Sequence, residues 1–480
     1  MKFADTELPV RRQASPWPVS FFTVLGVGVE LGRTFRPDGF SRFLRYDTIT
    51  STARQVMEES NEVSRRSFLK KSTGVAAGAT AFTIVKPELV RGAGNEKLKA
   101  GLVGCGGRGT EAAQQLLHGN ENVELVAMGD IFEDHLEESL DKIRNSTEYP
   151  GIAGKVKVDP EHHFVGFDAY KKVLASDIDL VMLCTPPGYR PMHFEAAVEA
   201  RKHVFAEKPF GTDPVNVRRF MAAAKKSEEL KLTVMSGAQR RSQKEYVETI
   251  KRIHDGAIGD IAATYAYWVG TPVIQQKERD ANWKDMTWQH RAWYSFVWIC
   301  GDQVVEQHLH NIDVINWVMG GHPVEVLATG GAAWRPREEI YGNIFDHISA
   351  DFVYANGVHM SSYCRQYPRG LPDNVSELVV GTKGRSNCRD KGAKGIDPYV
   401  QEHIDLVKSI RGQGPYINHG MTVAESTMTC IMARESAYSG QKITWDQMMS
   451  SQLDLFPKAF DYDLPMDVPP LPVPGVYKFV

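Results

Sequence analysis

The sequence predicts an α/β fold that begins with a doubly wound parallel sheet. Strand-like and helix-like segments alternate from Lys99 to Gly237, and a glycine-rich turn separates the first strand from the first helix. Such alternation places parallel strands in one sheet with helices on both faces, and ligands bind at the carboxyl ends of the strands. The chain has 480 residues, more than one hydrophobic core usually supports, so we expect a second domain.

Composition narrows the functional classes. The chain is 42% hydrophobic and 24% charged, with a formal net charge of −3, which is typical of an ordinary globular protein. This mildly acidic balance argues against a nucleic-acid partner and against a polybasic membrane surface. The six cysteines are scattered without zinc-like spacing. We therefore expect the thiols to be buried and expect no metal site. An even count of cysteines nevertheless permits a disulfide in an exported protein.

The N-terminal region contains an export-like segment. Ser64–Lys71, "SRRSFLKK", precedes an apolar run of 14 residues, which is shorter than the ~20 residues of a membrane span and suits a signal sequence. Its paired arginines fit twin-arginine export, and no lipid-anchor cysteine follows. Residues 57–93 are thus a predicted signal segment and the expected location is periplasmic, without a membrane anchor. Because Met57 would place the arginines at the usual distance from a start, residues 1–56 are predicted to be a non-native upstream extension.

The glycine-rich turn has the spacing of a dinucleotide-binding loop. "KLKAGLVGCGGRG" predicts a strand followed by Gly-x-Gly-x-x-Gly and a helix. The first glycine permits a tight turn, the second lets the backbone approach a pyrophosphate, and the third lets the helix pack closely on the strand. We predict a Rossmann domain over residues 95–237 whose loop binds the cofactor through Gly104, Gly106, Arg108 and Gly109.

A second apolar strand, "VELVAMGD", ends at Asp130, 21 residues after Gly109. A carboxylate at this point accepts hydrogen bonds from the adenosine ribose and repels a 2′-phosphate. No arginine follows directly, so NAD is favoured over NADP. The alternative for Asp130 is a solvated loop acid. Beyond a loop-rich insertion, roughly Lys142 to Gly166, the alternation of strands and helices resumes.

Three later segments resemble the Gfo/Idh/MocA oxidoreductases. They are "CTPPGYRPMHFEAAVEARKHVFAEKP", its continuation "FGTDP", and "RRSQKEYVETIKRIHDGAIGDIAATYAYW". The likeness extends from about Glu96 to Trp445 and points to an exported subgroup similar to glucose-fructose oxidoreductase-like proteins. It implies a second α/β domain, residues 238–455, whose large, open, mostly antiparallel sheet covers the nicotinamide face. It also implies a sugar, polyol or glycoside substrate between the domains.

The resemblance also implies site residues. Glu207 and Lys208 match the family's positions beside the nicotinamide and the reacting carbinol. The family's cofactor cleft is lined at the positions of Thr185, Pro186 and His193. "HNIDVINW" places the catalytic histidine at His310, and the acid that precedes it by four residues is Glu306 where the family has Asp. Asp302 is the neighbouring acid that would replace Glu306 in a shifted register.

These residue types suit hydride transfer from a carbon that carries a hydroxyl group. A neutral His310 accepts the hydroxyl proton, and the Lys208 ammonium stabilises the alkoxide or returns a proton. Glu306 would orient the imidazole, and on one helix the i,i+4 spacing would align both with Asp313 and Trp317. Without the motif as a guide, the alternative for Lys208 is a surface salt bridge, and the alternative for His310 is a hydrogen-bonded histidine of the core.

The expected function is therefore a sugar or polyol oxidoreductase with tightly bound NAD. The alternative is a redox-assisted glycosidase or lyase that recycles its NAD, although relatives of that type carry Gly-His-Gly-Gly where this chain has Gly-Ile-Asp-Pro. A sugar-binding protein with a vestigial cofactor site is the third reading, which intact Lys208 and His310 disfavour. Five tryptophans between Trp268 and Trp298 suit sugar faces or sheet cores equally. The Pro-rich tail, 456–480, predicts an extended arm over a neighbouring surface. Arms of this kind can mediate a homo-oligomer.

Overall fold

The structure is a computed structural model that describes residues 96–272, 278–368 and 370–480. The predicted upstream extension, 1–56, and the predicted signal segment, 57–93, lie outside these residues. Within the described part, two β-sheets are present.

The first sheet has six parallel strands in the order β3-β2-β1-β4-β5-β6. Its central strands are almost continuously apolar and buried, as expected for strands covered by helices on both faces. The chain crosses from one half of the sheet to the other in the connection from β3 to β4. The neighbouring carboxyl ends of β1 and β4 form the switch point where ligands bind in such folds. The strands are β1 (Leu98–Val103), β2 (Val123–Asp130), β3 (His163–Val165), β4 (Leu180–Leu183), β5 (His203–Ala206) and β6 (Val234–Ser236).

Five helices connect these strands: α1 (Gly107–Gly119), α2 (Glu133–Arg144), α3 (Ala169–Ala175), α4 (Arg190–Glu199) and α5 (Pro214–Glu229). The predicted loop-rich insertion, roughly Lys142 to Gly166, contains strand β3, which extends the sheet beside β2. Three residues, of which two are half-buried and one is exposed, give too weak an alternation for a strand to be predicted.

The second sheet has seven strands in the order β12-β11-β7-β10-β9-β8-β13. β7 and β10 pair in parallel and the other neighbours are antiparallel, so the predicted fold class is confirmed. The strands are β7 (Ile261–Gly270), β8 (Glu325–Gly331), β9 (His347–Val353), β10 (His359–Gln366), β11 (Asn374–Gly381), β12 (Gly384–Ser386) and β13 (Ile443–Thr444).

The remaining helices belong to the second half of the chain. They are α6 (Lys244–His254), α7 (Asp285–Arg291), α8 (Val297–Cys300), α9 (Gln303–Glu306), α10 (Leu309–Met319), α11 (Pro398–Ile410), α12 (Gly420–Ser439) and α13 (Trp445–Ser450). α11 places Val400, Leu406 and Val407 in the same core as Leu116 of α1. A helix remote in sequence thus completes a helical layer of the first sheet. No helix in the described ranges is long and apolar enough to span a membrane.

The C-terminal tail is extended and lies against its own chain. Phe456, Phe460 and Leu464 pack on a core cluster that includes Trp288 and Trp298. All six cysteines lie among the described residues and carry free thiols, which leaves the permitted disulfide unformed in this structure.

Candidate active site

One cavity of about 700 Å³ brings the twelve predicted site residues together. It lies at the carboxyl ends of β1, β2, β4 and β5 and is also lined by residues from α9, α10 and α11. The predicted residues that line it are Gly104, Gly106, Arg108, Gly109, Asp130, Thr185, Pro186, His193, Glu207, Lys208, Glu306 and His310.

The glycine loop presents bare backbone to this cavity. A Cβ on Gly104 would lie 2.5 Å from the Thr185 nitrogen, and one on Gly109 would lie 1.9 Å from the Gly104 carbonyl oxygen. A Cβ on Gly106 would meet nothing within 4 Å. The outer glycines are therefore required by packing, whereas Gly106 faces open space. α1 begins directly after it with no side-chain cap and no acid in its first turn, so its free N–H groups suit an anion.

Asp130 ends β2 and is only 8% exposed. Its carboxylate accepts the backbone N–H of Cys105 at 2.6 Å and that of Phe132 at 2.9 Å. Asp130 therefore ties the glycine loop to the loop after β2 while still lining the cavity. This position excludes the alternative of a solvated loop acid and fits the ribose-binding carboxylate of a Rossmann domain.

Arg108 connects the glycine loop to Glu207. Its Nε donates to Glu207 Oε1 at 2.5 Å, and its guanidinium lies 4.8 Å from the Tyr399 ring centroid. The buried carboxylate of Glu402 lies 3.6 Å from the same guanidinium. Burial alone would lower the pKa of Arg108, but the charges of Glu207 and Glu402 raise it overall. Arg108 thus stays charged and holds Glu207 at the edge of the cavity.

Lys208 is fixed by Glu306. Its Nζ donates to the Glu306 carbonyl oxygen at 2.6 Å and to Oε1 at 2.9 Å, and both side chains are about one-tenth exposed. The second carboxylate oxygen of Glu306 is buried and has no hydrogen-bond partner among the described residues. An ammonium held at the cavity wall in this way can stabilise negative charge on a bound oxygen.

The two candidate acids have different surroundings. Asp302 is fully buried, and its carboxylate accepts from Gln303 N at 2.5 Å, Phe345 N at 2.8 Å and the Tyr438 hydroxyl at 2.5 Å. Burial raises its pKa. Only Glu306 of the two lines the cavity, so the original register of the motif is favoured.

The prediction of one continuous helix through this motif is wrong. α9 ends at Glu306 and α10 begins at Leu309, so the i,i+4 face is interrupted. Asp313 accepts two hydrogen bonds from Arg241, at 2.7 and 2.8 Å, and Trp317 packs beside the same guanidinium. Neither Asp313 nor Trp317 lines the cavity, although both lie on α10 with His310, which does.

His310, in the first turn of α10, also lines the cavity. Its ring stacks on Trp268 with centroids 5.9 Å apart, and its buried Nδ1 has no hydrogen-bond partner among the described residues. Burial, followed by the charges of Lys208, Arg240 and Arg108, lowers the pKa of His310 well below its ordinary value. The imidazole is therefore neutral at neutral pH and can take up a proton without breaking an existing side-chain hydrogen bond.

Thr185 and His193 form a further wall. The Thr185 hydroxyl lies 3.2 Å from His193 Nδ1, and the imidazole stacks between Tyr170 and Tyr189. Burial lowers the pKa of His193 to about 3, so this histidine is neutral. The beginning of α4 also buries Arg190, which donates to the carbonyl oxygens of Leu183 and Thr185 at 2.5 and 2.6 Å. These bonds fix the turn that carries Thr185 and Pro186.

Several lining residues were not predicted. Tyr399 from α11, His290 from α7 and the adjoining Trp293 reach the cavity from the second half of the chain. Trp293 belongs to the tryptophan-rich segment, from which one or two residues were expected at a ligand. Tyr399 and His290 carry no local motif, so only their tertiary placement identifies them.

The residues present fit a bound dinucleotide and provide no metal site. Gly106 leaves room for close approach to the backbone, the uncapped start of α1 suits a pyrophosphate, and Asp130 is buried at the ribose position. Among residues 96–272, 278–368 and 370–480, no three histidine, cysteine or acidic side chains converge to hold a metal ion.

Comparison with known sequences identifies the family of the Rossmann domain. Residues 98–236 match the Gfo/Idh/MocA family, described as an oxidoreductase family with an NAD-binding Rossmann fold. The chain is an oxidoreductase whose NAD-binding domain belongs to the Gfo/Idh/MocA family. Its cofactor is NAD, as the sequence predicts.

Relatives of this oxidoreductase include inositol dehydrogenases. It is 22% identical over 340 residues to myo-inositol 2-dehydrogenase of Thermotoga maritima, covering 66% of this chain and 90% of the relative. It is 28% identical over 291 residues to inositol 2-dehydrogenase of Rhizobium meliloti, covering 60% of this chain and 74% of the relative.

Its fold matches that of scyllo-inositol dehydrogenase from Lactobacillus casei, solved with bound NAD(H) and scyllo-inositol. The TM-score is 0.56 at 18% identity, over 73% of this chain and 99% of the other. At this identity the likeness supports the shared fold.

Proposed function

We propose that this oxidoreductase is an exported sugar or polyol dehydrogenase that retains its NAD through turnover. One observation carries the proposal: Lys208, Glu306 and His310 line the same cavity as the glycine loop and Asp130. Cofactor-binding and proton-transfer groups thus face one volume. A cavity of about 700 Å³ is within the size range of cofactor and small-molecule sites.

The glycine loop, the start of α1 and Asp130 would hold the dinucleotide, and Thr185, Pro186 and Glu207 would line its nicotinamide half. When bound, NAD supplies the acceptor for a hydride from a carbinol carbon. The protein must then manage the hydroxyl proton and the negative charge that develops on the substrate oxygen.

His310 is the proposed proton acceptor. Its ring is neutral because burial and the neighbouring cations oppose protonation, and Trp268 holds its plane by stacking. Lys208 is the proposed electrostatic group, since Glu306 fixes its ammonium at the cavity wall through two hydrogen bonds. Glu306 thus positions Lys208 rather than His310, which changes the role expected for this acid.

A polyol or sugar is the proposed substrate class. The inositol dehydrogenases among the relatives support a cyclic polyol, and the half-buried Trp293 at the cavity supplies a flat ring suited to a sugar face.

Export and cofactor retention belong together in this proposal. "SRRSFLKK" supports twin-arginine export, which carries folded proteins, so NAD would be loaded before translocation. No pool of NAD is expected outside, and the hydride would return to a second substrate in the same site. Replacing Arg65 and Arg66 with lysine should leave the protein in the cytoplasmic fraction, and unchanged periplasmic recovery would refute this export route.

The experiment for the reaction is a product analysis. Purified protein is incubated with inositols, aldoses and aryl glycosides, and products are identified by mass spectrometry and NMR. A ketone or lactone with reduced nicotinamide supports the dehydrogenase. Release of the aglycone with no net reduction of NAD would instead establish the redox-assisted glycosidase. Lys208→Met, in which product should form far more slowly, serves as the matched control.

A further inference from the structure

The loops after β2 and β3 form the Asp130 end of the cavity. Ile131 and Phe132 follow β2, Gly166 and Phe167 follow β3, and all four line the cavity. In a Rossmann domain the acid that ends the second strand binds the adenosine ribose. These two loops would therefore lie beside the adenosine half of a bound NAD.

The C-terminal tail joins these two loops. The Tyr462 hydroxyl donates a hydrogen bond to the Ile131 carbonyl oxygen. Its ring lies 4.8 Å from that of Phe167 and 6.3 Å from that of Phe132, measured between centroids. Phe460 adds a second ring 5.6 Å from Phe167. A single residue of the tail thus contacts both loops.

Helix α7 makes a second connection. Arg291 donates to both carboxylate oxygens of Asp134, at 2.6 and 2.8 Å, in the first turn of α2. The same guanidinium lies 3.7 Å from the centroid of the Phe132 ring. The charged pair is partly exposed, so its strength is modest, but the stacked ring anchors the loop that follows Asp130.

The tail and α7 form one unit. The Tyr462 carbonyl accepts from Thr287 at 2.9 Å, the Leu464 carbonyl accepts from the Met286 nitrogen at 3.2 Å, and the Met466 carbonyl accepts from Gln289 at 2.9 Å. Opening either loop therefore strains contacts that are tied to the second half of the chain.

We propose that Arg291 and Tyr462 are positioning residues that hold the loops after β2 and β3 closed on the adenosine half of NAD. They govern how slowly the cofactor leaves and do not enter the chemical step. This inference rests on the proposed retention of NAD and assigns that retention to a latch made by this chain's own tail and α7.

The test measures the dissociation rate of NAD from the full-length, NAD-loaded protein. Bound NAD is chased with isotopically labelled NAD and the exchange is followed by mass spectrometry. Arg291→Leu should accelerate release by about tenfold, and Tyr462→Phe, which removes only one hydroxyl, by about fivefold. The turnover rate of loaded protein and the melting temperature of nucleotide-free protein should stay near wild type.

Two variants provide matched controls. Arg279 also bonds a carboxylate, Asp285, at 2.6 Å and lies 5.0 Å from the Trp288 ring centroid. Tyr416 also donates to a backbone carbonyl, that of Leu232, at 3.0 Å. Neither Arg279 nor Tyr416 touches the two loops, so Arg279→Leu and Tyr416→Phe should release NAD at the wild-type rate.

The outcomes separate the latch from cofactor retention. Equal dissociation rates in wild type, Arg291→Leu and Tyr462→Phe would overturn the latch. Exchange by the wild type within seconds would overturn retention through turnover, and the latch would still be judged by the ratio of variant to wild-type rates. A wild-type protein that binds no NAD would overturn both.

Discussion

The ammonium of Lys208 donates to the carbonyl oxygen of Glu306 at 2.6 Å and to its carboxylate at 2.9 Å. Lys208 follows β5 of the parallel sheet, and Glu306 ends α9 beside the second sheet. The position of the cation at the cavity wall therefore depends on both halves of the chain. Because one bond goes to the backbone and the other to the side chain, a substitution of Glu306 tests the carboxylate's part in holding Lys208 while the backbone bond remains.

Lys208→Met is expected to lower kcat by roughly 10²–10³, because it removes the group that stabilises charge on the substrate oxygen. Glu306→Gln should cost less, about tenfold, since the carbonyl bond to Lys208 persists while the charge-assisted bond weakens. Steady-state kinetics on NAD-loaded variants measure both effects, with NAD content as the control for folding. Wild-type kcat in Lys208→Met would contradict the role of this lysine.

The pH dependence of alcohol oxidation should reflect the depressed pKa of His310. Because burial and nearby cations keep the ring neutral, the acid limb of kcat/KM is expected below the ordinary value of 6.5. His310→Gln should lower kcat by about 10²–10⁴, whereas replacing the exposed His162 should change nothing. The Lys208 charge contributes to this lowered pKa. The acid limb of the residual activity of Lys208→Met should therefore lie at higher pH than that of the wild type. An acid limb at or above 6.5 in the wild type would argue against His310 as the base.

The glycine loop offers a paired test. Gly109→Ala places a methyl group 1.9 Å from the Gly104 carbonyl oxygen and should lower the melting temperature of the nucleotide-free protein. Gly106→Ala meets nothing within 4 Å, so it should leave that melting temperature unchanged and weaken NAD binding by about tenfold or more. Calorimetry and nucleotide titration separate the two results. Unchanged NAD affinity in Gly106→Ala would mean that the cofactor backbone lies elsewhere.

Asp130→Asn should reduce the preference for NAD over NADP. The substitution removes the charge that repels a 2′-phosphate, and we expect the ratio of the two Kd values to fall by about tenfold. One backbone donor of Cys105 or Phe132 also loses its acceptor, so the melting temperature should decrease. Glu133→Gln, at an exposed position three residues on, is the control. Equal selectivity in wild type and Asp130→Asn would remove Asp130 from ribose recognition.

Acid conditions should destabilise the fold through its buried histidines. Burial lowers the pKa of His290 to about 4 and that of His308 to about 3, from an ordinary 6.5. The unfolded chain therefore binds more protons below pH 6.5, and the stability present above that pH is lost as the pH falls toward 4. Urea unfolding at pH 7.5 and pH 5 should show a lower free energy of unfolding at pH 5. Constant stability over this range would contradict the neutral, buried state of these rings.

The sequence predicted the parallel sheet and the glycine-loop side of the cavity because the signals there are local. Gly104, Gly106 and Gly109 serve one turn, and Asp130 ends the next strand, so spacing along the chain determines their placement. The positions of Lys208 and His310 came from resemblance, since nothing in their spacing alone brings β5 and α10 together.

Other features depend on tertiary structure that spacing does not encode. The break between Glu306 and Leu309 redirects one acid without any glycine or proline to signal it. Tyr399 reaches the cavity from a helix almost 200 residues after Lys208. The composition of the tail predicts a Pro-rich arm. Only the packing of Phe456 and Phe460 shows that this arm lies along its own chain.

A single-turnover measurement on the purified protein tests the central claim most directly. NAD-loaded protein, freed of unbound nucleotide, is mixed with a panel of inositols and aldoses, and the absorbance of reduced nicotinamide is followed. We predict that at least one compound reduces one equivalent of bound cofactor per cavity without added NAD, and that Lys208→Met shows no such reduction on the same timescale. Protein that takes up no NAD, or loaded protein in which no sugar or polyol reduces the cofactor, would contradict the proposal.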